Sequence, residues 1–479
     1  MLIDSSGLSK VRDSVKDRIF FGHEPSAELI AILTVYFVQG VIGLARLAVS
    51  FFLKDELLLS PSQVSALLGI VTLPWIIKPA FGFISDGLPI FGYRRRPYLV
   101  LAGILGAISW VSMATIVHTS WAATVTIAIT SLSVAISDVI VDSLVVERAR
   151  VESQADIGSL QSLCWGSSAL GGLITAYFSG MLLEHFTTRT IFWITALFPL
   201  LVCAMAWFIA ESPIRKDANN ESYNTNFLNV KHQLGQLRQA ISQKAIWLPA
   251  AFIFILQATP SADSAFFFFT TNELHFQPEF LGRVRLVTSA ASLAGVWIFQ
   301  RYLKSVPFRV IFGWSTVISS VLGMTMLLLV THTNRVIGID DYWFSLGDSL
   351  ILTVMGQIAY MPILVLAARL CPSGVEATLF ALLMSVMNLG GIVSYGSGAI
   401  IMHWLGITQT NFDYLWLLVI ITNLSTLLPL PFLSWLPNSG SQTETPVSQP
   451  VLATNGETPL VPDFIPELIL QESESEAVD

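Results

Sequence analysis

Apolar windows long enough to cross a membrane recur along the whole chain. A helix needs about 20 mostly apolar residues to span the hydrocarbon core of a bilayer, and twelve such windows can be counted. They begin near Ala27, Ser62, Pro97, Ser120, Gly158, Thr190, Ala245, Phe280, Phe308, Ser349, Val375 and Asn411. Charged residues make up only 12% of the chain, against roughly 25% in soluble domains. The pattern excludes an ordinary soluble protein and predicts an all-α polytopic membrane protein with twelve transmembrane helices.

Polar segments divide the predicted helices into two sets of six. The longest internal one, residues 211–244, separates an N-terminal half at 27–210 from a C-terminal half at 245–436. Residues 1–26 form an N-terminal segment. Residues 437–479 carry eight acids and no Lys or Arg, in a stretch rich in Pro, Ser and Thr. This composition is typical of a disordered tail.

The distribution of Lys and Arg predicts the orientation. With the N-terminus inside, 18 bases fall in the segments on the inner side and three in those on the outer side. Cytoplasmic loops are enriched in these residues, so both termini and the central loop are predicted to be cytoplasmic. Secretory signals contain a long apolar run, and transit peptides are rich in Arg and poor in acids. The first 26 residues have neither feature. We therefore expect the inner (plasma) membrane of a bacterium, with a plastid envelope as the alternative.

An internal repeat relates the two halves at a spacing of 219 residues. The matching residues include Arg150 with Arg369, and Gly171 and Gly172 with Gly390 and Gly391. Repeated six-helix halves, with the solute held between them near midplane, are the layout of major facilitator transporters. Glycine pairs also let helix backbones approach closely in any membrane protein. The repeat therefore predicts close helix packing at these glycines as well as a layout of two six-helix halves.

The segment after the second window resembles the loop motif that major facilitator proteins carry between their second and third helices. Gly82 and Asp86 are followed by three arginines, of which Arg95 is the central one. An acid at a helix end can meet the partial positive charge of a neighbouring helix N-terminus, so the motif predicts a latch on the inner side. The positive-inside rule accounts for the arginines alone, but not for Gly82 and Asp86.

Charged residues inside the apolar windows form two layers. The bases are Arg46, Lys78, Arg283 and Arg285, and the acids are Asp138, Asp142 and Asp263. Arg46 and Asp263 lie about six residues outward from their helix centres, whereas Lys78 and Asp138 lie about five residues inward. Asp138 and Asp142 are four residues apart and share a helix face. Unpaired charge at such depth is costly, so we expect these groups to pair in the empty protein and to face a solute pathway.

Simpler interpretations of the same charges stay open. Arg46, Lys78 and Asp263 could form purely structural ion pairs between helices. Asp142 could pair with Arg148 or Arg150 near the membrane boundary, and Arg283 and Arg285 could extend to the outer surface. Each of these alternatives predicts a different set of contacts.

The residue types in the windows suggest a solute with two chemically different ends. Arginine offers a bidentate fork that matches carboxylates or phosphates, which suggests an anionic solute. Acids on the same path suggest a donor-rich solute end, proton coupling, or both. Gln39 and Gln257, near window centres, could bind solute or hold helices together. Enzyme motifs, metal-ligand spacings, cofactor sites and nucleic-acid modules are not found in the sequence.

Several segments together resemble the folate-biopterin transporter family of the major facilitator superfamily, in its cyanobacterial-type members. The segments are Lys78-Pro79, Arg95-Arg96-Pro97-Tyr98, Ser137-Asp138-Val-Ile-Val-Asp142-Ser143 and Glu147-Arg148-Ala149-Arg150. The resemblance implies transport of folates, with pterins as a second class of solute. It also implies proton symport and alternating access, and we expect the protein to be monomeric.

The resemblance also gives the charged residues chemical roles. A base among Arg46, Lys78, Arg283 and Arg285 would bind the glutamate end of a folate. Asp138 or Asp263 would accept hydrogen bonds from the pterin end. Asp138 or Asp142 would carry the proton. Two alternatives remain: a carrier or exporter of another amphipathic organic anion, and a membrane receptor or scaffold that transports nothing.

Overall fold

The computed structural model describes residues 26–149, 154–213, 242–370 and 376–437, which are almost entirely helical. Arg150, most of the N-terminal segment, most of the central loop and the acidic tail lie outside the described residues. Asp86 is described as a helical residue, but the position of its side chain is not.

Twelve helical elements follow the predicted windows in order. In the first half they are α1 (Ala27–Val41 and Leu44–Phe51), α2 (Pro61–Val71, Leu73–Ile76 and Lys78–Gly87), α3 (Arg96–Thr115), α4 (Ser120–Ala149), α5 (Gln154–His185) and α6 (Thr188–Met205). In the second half they are α7 (Lys244–Gln257 and Asp263–Phe268), α8 (Pro278–Ile298), α9 (Phe308–Gly323 and Met326–Val330), α10 (Asp341–Arg369), α11 (Glu376–Trp404) and α12 (Leu415–Ser425).

Ten helices of the described chain are long and apolar enough to cross a membrane, so the protein is a multi-pass membrane protein. The seventh and eighth predicted crossings are helical but are not among these ten. α7 is interrupted after Gln257 by a stretch containing Pro260, and α8 begins with the charged residues Glu279, Arg283 and Arg285. Length and hydropathy therefore confirm ten of the twelve predicted crossings.

Contacts between helix ends define two faces of the bundle. At the terminal face, where α1 begins, Glu28 of α1 accepts a hydrogen bond of 3.2 Å from the backbone N–H of Ala210 at the end of α6. At the far face, where α1 ends, Arg189 at the start of α6 donates to Glu56 at 2.9 Å. Arg309 donates to the carbonyl of Leu436 at 2.9 Å, which places the start of α9 and the end of the described chain together.

The far-face ends of α1 and α7 have the same backbone shape. Each helix widens into a π-helical turn, at Phe52–Glu56 and Phe269–Glu273. Leu58 and His275 then adopt left-handed backbones, with φ of 52° and 55°. These residues match at a spacing of 217 rather than 219, so one fixed spacing does not find both parts of the repeat. The repeat is thus a property of the backbone as well as of the sequence.

One glycine of each predicted pair lies at a close helix contact. A Cβ on Gly171 would lie 2.4 Å from the carbonyl oxygen of Phe37, so α5 packs tightly on α1. A Cβ on Gly390 would lie 2.7 Å from Cβ of Gln257, so α11 packs in the same way on α7. Around Gly172 and Gly391 there is open space at this position.

Candidate functional site

A lysine between two carboxylates forms the first charged cluster. Lys78 of α2 is ion-paired with Asp138 and lies 3.1 Å from Oδ2 of Asp142, both on α4. Tyr36 of α1 donates a hydrogen bond of 2.5 Å to Oδ1 of Asp142. The Asp138 side chain is 15% exposed and that of Asp142 is 44% exposed. Three helices therefore meet at one titratable cluster, in which Asp138 is the more enclosed acid.

An irregularity in α2 positions Lys78. The helix is interrupted at Ile77, and its last segment begins with Lys78 and Pro79. Proline suits the first turn of a helix because it has no N–H to leave unpaired there. The ammonium group also lies 5.8 Å from the ring of Trp75, over its face. The break turns Lys78 toward α4 rather than continuing the helix unchanged.

A second charged cluster lies further toward the far face. Arg46 follows the break in α1 at Gly43, where backbone hydrogen bonds tighten to an i to i−3 pattern, and Asp263 follows the break in α7. The two residues match at the same spacing of 217 as the π-helical turns. Arg285 of α8 lies within electrostatic range of Arg46, and Tyr395 of α11 lies within range of both Arg46 and Asp263. The cluster thus joins elements of both halves.

Among the described residues, neither arginine of this second cluster nor Asp263 forms an ion pair. Nη1 of Arg285 is buried and has no hydrogen-bond partner in the described structure. Arg46 and Asp263 are both exposed. Pairing is therefore found in the layer of Lys78 and not in the layer of Arg46.

Arg283 and the two glutamines lie elsewhere. Arg283 is ion-paired with Glu279 of its own helix, and its side chain is 61% exposed, at the edge of the bundle. Gln257 lies at the break of α7 against Gly390. Gln39 lines a small cavity inside the first half with Ser133 and Ser137. These three residues are not brought together with Arg46 and Arg285.

The predicted latch region is a compact polar contact at the terminal face. Arg95 is buried and donates to the hydroxyl of Ser85 at 3.1 Å. Glu211 accepts hydrogen bonds from the backbone N–H groups of Arg95 and Arg96, both at 3.0 Å, and so caps α3. Gly82 faces α4, where a Cβ would meet Val139 at 3.6 Å. The role of Glu211 in this contact was not predicted from sequence.

A hydrogen-bond network joins the two halves at the far face. Lys54 is only 7% exposed and donates to Asp55 at 2.6 Å and to Oδ1 of Asn272 at 2.8 Å. Asn272 donates to the carbonyl of Gln409 at 2.8 Å, and the Gln409 side chain donates to the carbonyl of Leu59 at 3.0 Å. The network connects the ends of α1 and α7 with the loops that follow α1 and α11.

Two glycines bring the halves into backbone contact close to this network. A Cβ on Gly180 of α5 would lie 2.4 Å from the carbonyl oxygen of Pro278 and 2.8 Å from Cα of Gly282, in α8. Nearer the middle of the bundle, Ser65 of α2 donates to the carbonyl of Tyr395 at 2.9 Å. The halves are therefore packed together at the far face.

The tyrosines at both clusters were missed by reasoning from sequence. Tyr36 and Tyr395 lie in apolar windows where a tyrosine attracts no attention. The one available signal is general: a buried tyrosine hydroxyl usually finds a hydrogen-bond partner. That rule predicts that a partner exists but does not identify Asp142.

Comparison with known proteins places the chain in a family. The BT1 family model matches residues 39–449. A "Folate-biopterin transporter" of Synechocystis sp. is 61% identical over 428 residues, which cover 89% of this chain and 85% of that protein. The "Probable folate-biopterin transporter 2" of Arabidopsis thaliana is 32% identical and covers 87% of this chain and 84% of its own length. "Folate transporter 2" of Plasmodium falciparum is also 32% identical, over 85% of this chain and 88% of that protein.

Solved structures share the fold at low sequence identity. The nucleoside transporter NupG superposes with a TM-score of 0.64 at 14% identity, over 85% of this chain and 98% of that one. A D-xylose-proton symporter superposes with a TM-score of 0.62 at 15% identity, over 87% and 100%. At such identity the likeness concerns the fold, which is that of the major facilitator superfamily. The named relatives are transporters, which agrees with the expectation that the chain is not an enzyme. The resemblance seen in the sequence is confirmed, and the chain belongs to the BT1 family.

Proposed function

We propose that the protein carries folates, and pterins as a second class, across a membrane by proton symport. The names of its relatives support the solute class. The observation that carries the proposal is the division of the charged residues into two clusters with different states. In one, two arginines have no ion-pair partner among the described residues, and in the other a lysine is shared by two acids. The first suits an anionic solute and the second suits a proton.

The arginine pair is the proposed site for the glutamate end of a folate. This end bears two carboxylates, and Arg46 and Arg285 each present a fork that matches a carboxylate. Two cations held near each other without an anion repel, so binding a dianion relieves that repulsion. Tyr395, which lies within electrostatic range of both Arg46 and Asp263, is available to other polar groups of the solute.

The distance between the clusters suits a long solute. Tyr36 and Arg46 are ten residues apart on α1, which corresponds to about 15 Å along a helix. A solute bound by its carboxylates at Arg46 would extend along the pathway toward Lys78 and its acids. The amino group and ring nitrogen of a pterin can donate to a carboxylate there. We propose this orientation for folate.

The lysine cluster is the proposed proton site. Lys78 supplies one positive charge for two carboxylates, so the cluster carries one surplus negative charge when both acids are ionised. Binding a proton removes that surplus without breaking the cluster. Asp138 is the more enclosed acid, and we assign the proton to it.

The packing of the halves supports the proposal of alternating access. The network of Lys54, Asn272 and Gln409 and the contact of Gly180 with Gly282 close the far face, so we propose that the structure corresponds to the state in which the far face is shut. Rocking of the halves about the two clusters would break these contacts and open the far face. We propose that the terminal face is cytoplasmic in a bacterial plasma membrane, because the sequence predicts 18 bases in the segments on that side.

Asp138→Asn should separate solute exchange from proton-driven uptake. We expect purified protein in inside-negative vesicles to concentrate labelled folate when an inward proton gradient is imposed. The Asp138→Asn protein should still exchange external for internal folate but lose gradient-driven accumulation, because its amide cannot carry the proton. Excess unlabelled folate and biopterin test the solute class in the same assay. Unchanged accumulation and pH dependence in the variant would remove Asp138 as the carrier, and no uptake by the native protein would remove the proposal.

Neutralising either arginine of the pair should weaken the binding of folate more than the binding of pterins that lack the glutamate end. A charge-assisted hydrogen bond contributes about 1.5–3 kcal/mol, so we expect Arg46→Gln and Arg285→Gln each to lower folate affinity about tenfold or more. Binding of biopterin should change much less. Arg283→Gln is the matched control, because its guanidinium is exposed and paired within α8. Equal losses for folate and biopterin would contradict the assignment.

A further inference from the structure

The hydroxyl of Tyr36 makes the two acids of the lysine cluster unequal. Tyr36 is 5% exposed and donates to Oδ1 of Asp142 at 2.5 Å, while Lys78 lies 3.1 Å from the other oxygen of the same carboxylate. Asp138 is ion-paired with Lys78, and among the described residues no tyrosine donates a hydrogen bond to it. The amide of Gln39 also faces Asp138, but its nitrogen does not reach hydrogen-bonding geometry. Among the described residues, Asp142 therefore has two strong donors and Asp138 has one.

The groups around Tyr36 come from three other helices. Lys78 belongs to α2, Asp138 and Asp142 belong to α4, and the thiol of the buried Cys164 on α5 also lies within electrostatic range. Tyr36 itself is on α1. Lys78 is the one cation of this set, and its charge reaches both acids, so it does not distinguish between them. The Tyr36 hydroxyl donates its hydrogen bond to Asp142 and not to Asp138, so it is the group that distinguishes the two acids.

We propose that Tyr36 is a positioning residue that holds Asp142 as the ionised partner of Lys78 and thereby leaves the transported proton to Asp138. The inference rests on the proposed function, since it assigns a role within proton symport. A hydrogen bond donated to a carboxylate favours its charged form. The acid without that bond is then the one that binds a proton from water on one side and returns it to water on the other. Only the O–H bond of Asp138 forms and breaks, and Tyr36 keeps its own proton.

The decisive variant is the double substitution Tyr36→Phe with Asp138→Asn. Removing the hydroxyl leaves the Asp142 carboxylate without the donor that favours its charged form. Asp142 then becomes able to carry the proton in place of Asp138. We expect Asp138→Asn to lack gradient-driven folate uptake and the double variant to recover it, with a pH profile that differs from that of the native protein. A purely structural role for Tyr36 would leave the double variant without gradient-driven uptake and would also lower its folate exchange below that of Asp138→Asn.

Tyr98→Phe with Asp138→Asn is the matched control. Tyr98 also donates its hydroxyl to a protein oxygen, the carbonyl of Leu88 at 2.7 Å, but that bond is remote from the acids. It should not restore uptake. Recovery in the Tyr36 double variant alone supports the inference. A double variant that stays as inactive as Asp138→Asn overturns it and leaves the proposed function in place, whereas coupled uptake by Asp138→Asn itself overturns both.

Infrared difference spectra between low and high pH test the same assignment without any change to Tyr36. The absorption of the protonated carboxyl group in this cluster should be lost in Asp138→Asn and kept in Asp142→Asn. Loss of the band in Asp142→Asn would overturn the inference even if Tyr36→Phe fails to fold.

Discussion

Gly180→Ala should bind folate and yet transport almost none. The added methyl group would lie 2.4 Å from a backbone carbonyl oxygen and 2.8 Å from a backbone Cα of α8, and backbone atoms of a packed helix cannot move aside cheaply. Overpacking of this kind costs about 1–3 kcal/mol. The cost applies only to the state in which α5 and α8 touch, so it shifts the population by about 5- to 150-fold toward a state open at the far face.

Gly172→Ala is the matched control for this prediction. Gly172 lies on the same helix, about two turns away, and a Cβ there meets nothing within 4 Å. Both uptake and exchange of labelled folate should fall in the Gly180→Ala protein and stay normal in the Gly172→Ala protein, while folate binding in detergent persists in both. Equal transport rates for the two variants would show that the closed far face is not an obligatory state.

Lys78→Met should mainly lower the stability of the protein. It should not weaken the recognition of one solute in particular. The substitution leaves two carboxylates around an apolar side chain. Removing one partner of a fully buried pair costs about 3–5 kcal/mol, and the cost here should be smaller because the Lys78 side chain is 27% exposed and that of Asp142 is 44% exposed. We expect the loss of thermal stability to be largest at high pH, where both acids are ionised, and to shrink as pH falls and protons neutralise them. Adding Asp138→Asn to Lys78→Met should recover part of the stability.

Solute specificity separates this role of Lys78 from a direct role in binding. A counterion for two acids affects uptake of folate and of biopterin alike, so both should fall together in Lys78→Met. Lys244→Met, at the exposed start of α7, is a control for loss of a positive charge. A loss confined to folate would instead show that Lys78 contacts the glutamate end.

The sequence predicted the acids and the lysine of the first cluster better than the second cluster. Asp138 and Asp142 share a face by helix periodicity alone, and Lys78 was placed at the same depth by counting residues, so their meeting follows from simple geometry. Arg46 and Asp263 were also placed at one depth and expected to pair. In the structure they belong to the ends of two broken helices, and the breaks at Gly43 and Pro260 direct their side chains in ways that residue counting cannot predict.

The limits on predicting the fold from the sequence have the same origin. Hydropathy located ten crossings that the structure confirms, because apolar length is a property of each window alone. It did not predict the interruption of α7 or the π-helical turns, whose backbone shapes depend on packing between helices. The partner of Tyr36 was missed for this reason too, since Asp142 is 106 residues away in the chain.

The paired π-helical turns at Phe52–Glu56 and Phe269–Glu273 bear on the history of the chain. Such wide turns are rare and tend to persist at functional positions, and here each is followed by a left-handed residue and a proline that starts the next helix. At a spacing of 217 residues, Phe52, Glu56, Leu57 and Pro61 recur as Phe269, Glu273, Leu274 and Pro278, and the backbone course is the same. This indicates that one ancestral half already had this ending before duplication, and that later substitutions such as Lys54 and Asn272 made the copies complementary rather than identical.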